Sequence, residues 1–190
     1  MRSQATPNFT NAGSRSQPRW LGCWRLADGA QLLEFTLMLP LLVVLAVAVA
    51  DFGAAFALRD KLMNAAREGA RIGISQPTAD LTLSNPGTVE ALRDAVVNYL
   101  NNAGVPTSLT STNPCATAAF SWTYCFTNGG QIQIDRQYVF LVNGTLALST
   151  RVTLFSPYSW MLGRAVQLLV PSSSLANAFT ISAQSVMQNL

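Results

Sequence analysis

The sequence contains no histidine, which removes both the commonest general base and the commonest metal ligand. It has only three cysteines in 190 residues, and their spacing makes no zinc site. Charged residues are 11% of the chain against 49% apolar ones, which is little charge for an ordinary soluble domain. No Gly-rich phosphate loop and no nucleophile–base pair is present. Asp80, Glu90, Asp94 and Asp135 are scattered along the chain and read as solvated surface carboxylates. These absences argue against an enzyme and imply no cofactor and no metal.

The net charge of +3 is unevenly placed. Before Ala30 the chain carries Arg2, Arg15, Arg19 and Arg25 against Asp28 alone, and from Ala30 onward basic and acidic residues balance. A basic chain ordinarily suggests nucleic acid, but no basic patch survives beyond the leader, so no nucleic-acid partner is expected. Residues 1–28 are rich in Ser, Asn, Gln and Arg and lack periodicity, so they read as a disordered basic leader. Trp20, Leu21 and Trp24 break that polarity in a way that suits the lipid headgroup layer.

What the chain has in abundance is one long apolar run. From Phe35 to Ala50 there is no charge; Asp51 interrupts, and Phe52 to Leu58 is apolar again. As a helix rising about 1.5 Å per residue, the uncharged part covers about 24 Å and the run to Leu58 about 36 Å. These values bracket a hydrocarbon core of about 30 Å, and predict a membrane span with Glu34 and Asp51 near its two faces. Pro40 removes one backbone hydrogen bond inside the span and favours a kink, which membrane helices tolerate. Basic residues do not fix the orientation, because Arg15, Arg19 and Arg25 before the span face Arg59, Lys61, Arg67 and Arg71 after it.

The helix continues past the span. Leu58, Leu62, Ala65, Ala66, Gly69 and Ile72 keep helical spacing, and Glu68 and Arg71 can pair at i, i+3. Gly69 and Gly73 form a GxxxG pair on a face of small residues, suited to close helix approach or to packing on the chain's own domain. Gly73 and Pro77 end the helix. After a polar loop, Thr88 is the expected N-cap of a second helix carrying Val89, Leu92, Val96, Tyr99 and Leu100, which stops near Gly104 and Pro106.

The remainder reads as strands. Phe120, Trp122 and Tyr124 alternate with small polar residues, and so do Ile132, Ile134, Tyr138 and Phe140 beyond the Asn128-Gly129-Gly130 turn. Asn143-Gly144 predicts a two-residue hairpin that sets Leu141 against Leu146, Phe140 against Ala147 and Val139 against Leu148. Both faces near that turn are apolar, so one should be covered by helix and the other by a second contact. A short helix around Trp160 to Leu169, a loop at Pro171–Ser174 and a weak last strand from Phe179 to Met187 complete the reading. The fold class is α+β: a long N-terminal transmembrane helix extending into a pilin-like domain with a second helix and a small antiparallel sheet. Cys23 lies in the leader; Cys115 and Cys125 either close a disulfide, which needs an oxidising compartment such as the periplasm, or remain two free buried thiols.

At the junction of leader and span stands Gly29-Ala30-Gln31-Leu32-Leu33-Glu34. It resembles a type IV prepilin cleavage site, where a membrane aspartyl peptidase cuts after the glycine and a glutamate five residues into the mature chain supports assembly. A small residue allows close backbone approach at the scissile bond, and a carboxylate near a helix start is favoured by the dipole. Glu34 snorkelling to the interface is the plainer alternative.

The longer stretch is more specific. Glu34-Phe35-Thr36-Leu37-Met38-Leu39-Pro40-Leu41-Leu42, then Asp51-Phe52-Gly53, then Asn64-Ala65-Ala66-Arg67-Glu68-Gly69-Ala70-Arg71 resembles the TadE-like family, pseudopilin-like proteins of the Tad (tight adherence) machinery that assembles Flp pili. The resemblance covers Gly29 to Arg71. It implies cleavage after Gly29 by a prepilin peptidase and a single-pass protein of the bacterial inner membrane. The N-terminus would be cytoplasmic and the C-terminal domain periplasmic.

The implied role is that of a minor pilin or assembly factor rather than an enzyme. Implied partners are the prepilin peptidase, another TadE-, TadF- or TadG-like pseudopilin and the Tad secretion components. The implied division is leader 1–29, helix 30–73 and periplasmic domain 74–190. Ala30 departs from the phenylalanine that many type IV pilins methylate, and the long body departs from the short major Flp pilin. The competing reading is an ordinary secreted protein, since Ala46-Val47-Ala48 and Ala48-Val49-Ala50 both fit a signal-peptidase pattern.

Overall fold

A computed structural model describes residues 21–142, 145–161, 163 and 179–188 of the chain. The elements are α1 (Leu21–Ser75), α2 (Gly87–Asn102), β1 (Ala116–Ala118), β2 (Ser121–Cys125), β3 (Gln131–Val142), β4 (Thr145–Tyr158) and β5 (Phe179–Gln188). The fold is α+β, as the sequence predicts: one long apolar helix, a second helix and a five-stranded antiparallel sheet. The chain forms two compact units, Met1–Val44 and Leu45–Leu190.

The first unit contains the apolar part of α1 up to Val44. Every residue from Gly29 to Ala46 is exposed, so the described residues leave its leucines and valines largely uncovered. The segment Gly29–Ser75 is long and apolar enough to cross a membrane. Pro40 sits inside the helix without ending it. The helix begins earlier than expected, at Leu21 rather than after the leader. Leu21, Arg25, Leu26 and Ala27 are good helix formers, and the pair Asp28-Gly29 is too little to interrupt them. The rest of the expected leader lies outside the described residues.

The second unit, the head, is built on one face of the sheet. The strands are in sequential antiparallel order, β1 to β5. Trp122 pairs with Ile134 and Ile134 with Val152; Tyr124 pairs with Ile132, Ile132 with Leu154 and Leu154 with Ala183. These two cross-strand rows are buried, while Thr123, Gln133 and Thr153 between them are half-exposed. That alternation is what a sheet covered on one side requires. Leu62, Ala65, Ala66 and Ala70 of α1 and Val89, Leu92, Val96 and Leu100 of α2 complete the same core. Tyr99, expected among them, is 36% exposed.

The hairpin has the predicted register, with Leu141 opposite Leu146, Phe140 opposite Ala147 and Val139 opposite Leu148; its turn residues lie outside the described ones. Its two faces do not both find cover. Ala147 is buried, but Leu141 and Leu146 are 70% and 75% exposed. The reason is the length of α1, which ends at Ser75: Gly73 packs beside Thr150, so the strands run on past the last helical turn. The even spacing from Ile134 to Tyr138 also fails, because a bulge shifts the register between Asp135 and Tyr138 and buries both Asp135 and Arg136. An extra residue on one strand does this by breaking the two-residue period.

Three smaller expectations change. Phe120 is not a strand residue but stands in the β1–β2 turn with φ 56°. Strand β4 continues through Pro157, where its pairing with β3 has ended and only β5 still bonds, so the missing N–H costs no ladder bond on that side. The helix and loop expected over Trp160–Ser174 lie almost wholly outside the described residues.

Candidate functional site

Gly29, Ala30 and Glu34 lie on the exposed part of α1. A β-carbon built on Gly29 would meet nothing within 4 Å among the described residues. Glu34 has no bonded partner among the described residues. Thr36, two residues on, returns its hydroxyl to the carbonyl of Leu32 at 2.7 Å, the usual way a hydroxyl is satisfied in an apolar helix.

Asp51 is at the opposite end of the uncharged run and is buried, 1% exposed. Its carboxylate accepts the backbone N–H of Met161 at 3.0 Å and the Tyr158 hydroxyl at 3.4 Å, and the same hydroxyl donates to the Asp51 carbonyl at 3.1 Å. This acid within the apolar run thus ties α1 to the end of β4. Phe52, the next residue, meets Trp160 edge to face at 5.1 Å. Gly53 is exposed, with nothing within 4 Å of a built β-carbon.

Gly69 and Gly73 serve the chain's own core. A β-carbon on Gly69 would come 2.6 Å from Val96 Cγ2, and one on Gly73 2.5 Å from Thr150 Cγ2 and 2.9 Å from Leu92. The GxxxG face is therefore occupied by α2 and β4. Glu68 and Arg71 pair as expected, at 2.6 Å.

The end of α1 is held by a residue that periodicity did not reveal. Arg136, wholly buried on the β3 bulge, donates from Nη1 to the carbonyl of Gly73 and from Nη2 to those of Gln76 and Pro77 at 2.9 and 3.3 Å. Helix-end carbonyls lack internal partners, and a cation there is favoured by the dipole. Desolvation lowers the Arg136 pKa, with the Asp80 charge opposing. The one sequence signal was a charge in a strand just where alternation breaks.

Thr88 does not cap α2. Pro86 holds the N-cap position without a side-chain bond, and Asp80 supplies the acceptor instead. It takes the Thr88 N–H at 3.0 Å and the Thr88 hydroxyl at 2.7 Å. Burial alone would raise the Asp80 pKa; the bonds from Thr88, its own backbone and the charge of Arg136 outweigh it, and the net shift is downward.

Asp135 is likewise not a solvated carboxylate, being 6% exposed and bonded to Arg151 Nε at 2.6 Å. Glu90 and Asp94 both pair with the buried Arg93, at 3.6 and 2.8 Å, and Arg93 lies 4.9 Å over the Tyr124 ring. Burial pushes the Tyr124 phenol up to about 12, against the pull of Arg93. Cys115 and Cys125 form a disulfide with Cα atoms 5.9 Å apart. Among the described residues no group of three or more Cys, Asp or Glu could hold a metal ion.

Among the described residues the chain combines one helix long and apolar enough to cross a membrane with a small disulfide-bonded α+β unit. The family model described as TadE-like protein matches residues 29–71, the stretch that carries the leader junction, the Asp51-Phe52-Gly53 exit and the small-residue face. No curated protein and no solved structure matches the chain.

Proposed function

We propose that the chain is a membrane-anchored pseudopilin acting in Tad (Flp) pilus assembly, cut by a prepilin peptidase after Gly29. The observation that carries this reading is the TadE-like match over residues 29–71, which joins a cleavage-type junction to an exposed apolar helix. The open surroundings of Gly29 support it. Glycine also weakens a helix by about 1 kcal/mol relative to alanine, which eases the local unwinding a peptidase needs.

In this reading the helix sits in the bacterial inner membrane with its N-terminus in the cytoplasm and its head in the periplasm. The Cys115–Cys125 bond favours that orientation, because disulfides persist in oxidising compartments. Its partners are the peptidase, a second pseudopilin of the same kind and the Tad secretion components, and its part in assembly is structural rather than catalytic. Cleavage by ordinary signal peptidase at Ala48 or Ala50 would cut a helix that runs on without a break to Ser75.

Mass analysis of the mature N-terminus in membrane-extracted protein tests the reading. The expected mature chain starts at Ala30, and Gly29→Val leaves the leader attached. A chain starting at Val49 or Asp51 supports the secretory alternative, and surface pili that persist after deletion of the gene remove the assembly role.

A further inference from the structure

Within the head, α1 has a covered stripe and a bare one. Val47, Ala48, Asp51, Ala55, Leu58 and Leu62 are half-buried or buried, whereas Leu45, Val49, Phe52 and Phe56 are exposed. The covered stripe begins at Val47, inside the uncharged stretch that ends at Ala50. A hydrocarbon core of about 30 Å takes roughly 20 residues of helix, more than Phe35–Ala50 supplies. A turn can be added from the residues after Ala50, where Asp51 stands in the way.

The head removes that obstacle. Asp51 points into the protein and is bonded to Met161 and Tyr158. The exposed side of α1 then carries no charge from Leu45 until Arg59. At this level the head itself turns aromatic. Trp160 stacks on Phe179 at 4.9 Å and meets Phe52 at 5.1 Å, and Tyr158 lies edge-on to both Trp160 and Phe179. Phe52, Phe56, Arg59, Trp160 and Phe179 line an open cavity of about 400 Å³, and Met161 beside it is 64% exposed.

Rings with one polar edge, and an arginine with a long apolar stem, are the side chains that settle between hydrocarbon and headgroups. We propose that this aromatic edge is a lipid-docking surface. The phospholipids surrounding α1 cover Phe52, Phe56, Phe179 and Met161, and Arg59 lies at headgroup level. The bilayer therefore holds the head as well as the helix. The proposal rests on α1 spanning a membrane and is independent of the role in pilus assembly.

Spin-label accessibility tests it, using the full chain with Cys23→Ser reconstituted in bilayers of phosphatidylcholine and phosphatidylglycerol. Labels are placed one at a time by Leu45→Cys in the bare stripe, Met161→Cys at the aromatic edge and Asn98→Cys on the exposed side of α2. The expected result is broadening by oxygen and loss of broadening by a water-soluble nickel chelate at 45 and 161, with full chelate broadening at 98. Chelate broadening at 161 equal to that at 98, with 45 still protected, overturns docking and leaves the span intact. A label at 161 closed to both oxygen and chelate overturns it in favour of a second copy covering the edge. Chelate access at 45 removes the membrane span and the docking together.

Discussion

The guanidinium of Arg136 donates to the main-chain carbonyl of Gly73 from a strand in the middle of the sheet. Through this contact and those to Gln76 and Pro77, β3 closes the C-terminal end of α1. Gly73 makes the approach possible, because any side chain there would run into Thr150 and Leu92. Replacing Arg136 with alanine removes one bond to the buried Gly73 carbonyl and two to the less buried carbonyls of Gln76 and Pro77, and an unmet buried polar group costs roughly 1–3 kcal/mol. We expect Arg136→Ala to destabilise the detergent-solubilised chain by roughly 1–3 kcal/mol on that scale, with Arg136→Lys intermediate. Urea unfolding measures it, and a midpoint unchanged by Arg136→Ala would refute the capping role.

The three glycines of α1 beyond Ala50 should behave differently. Alanine at Gly69 or Gly73 places a methyl 2.6 or 2.5 Å from a neighbouring side-chain carbon, and overpacking of this kind costs roughly 1–3 kcal/mol. Alanine at Gly53 meets nothing and should stabilise the helix by up to about 1 kcal/mol. Thermal melts of the three single variants compare them directly; equal effects at Gly53 and Gly73 would contradict the packing described.

Asp80 makes stability depend on acid. Its folded pKa lies below the ordinary carboxylate value, so the unfolded chain binds the proton more readily. The contribution is therefore fully present above the unfolded pKa of about 3.9 and is lost as pH falls through the lower folded value. Unfolding midpoints between neutral pH and pH of about 3 should fall less steeply in Asp80→Asn than in the native chain. Asp80→Ala should cost about 1 kcal/mol at neutral pH, as for other lost helix caps. Parallel pH slopes in native and Asp80→Asn chains would remove Asp80 from the acid response.

The Cys115–Cys125 bond ties the segment before β1 to the end of β2 across a sequence separation of 10. Closing a loop of that size stabilises by about 3 kcal/mol in the chain-entropy description. Cys115→Ser with Cys125→Ser should lower the unfolding free energy by about that amount. Alkylation without reductant should leave both residues unmodified in protein taken from cells, and modification of either one would show that the bond does not form there.

Much of this protein is written along the chain. The run from Phe35 to Leu58 determines an apolar helix, because its apolar residues follow one another with a single charge and a single proline between them, and Asn143-Gly144 between alternating apolar residues determines the hairpin register. The Gly69–Gly73 face is legible for the same reason: it depends on neighbours a few residues apart. Tertiary structure alone decides the fate of the charges. Asp51, Asp135 and Arg136 look like surface or membrane-edge residues until chain segments remote in sequence supply Tyr158, Arg151 and the carbonyl ending α1. Their burial is set by which backbone and side-chain groups fall within hydrogen-bond reach across the core. Periodicity reports which face a residue takes, and carries no information about the partner waiting on that face.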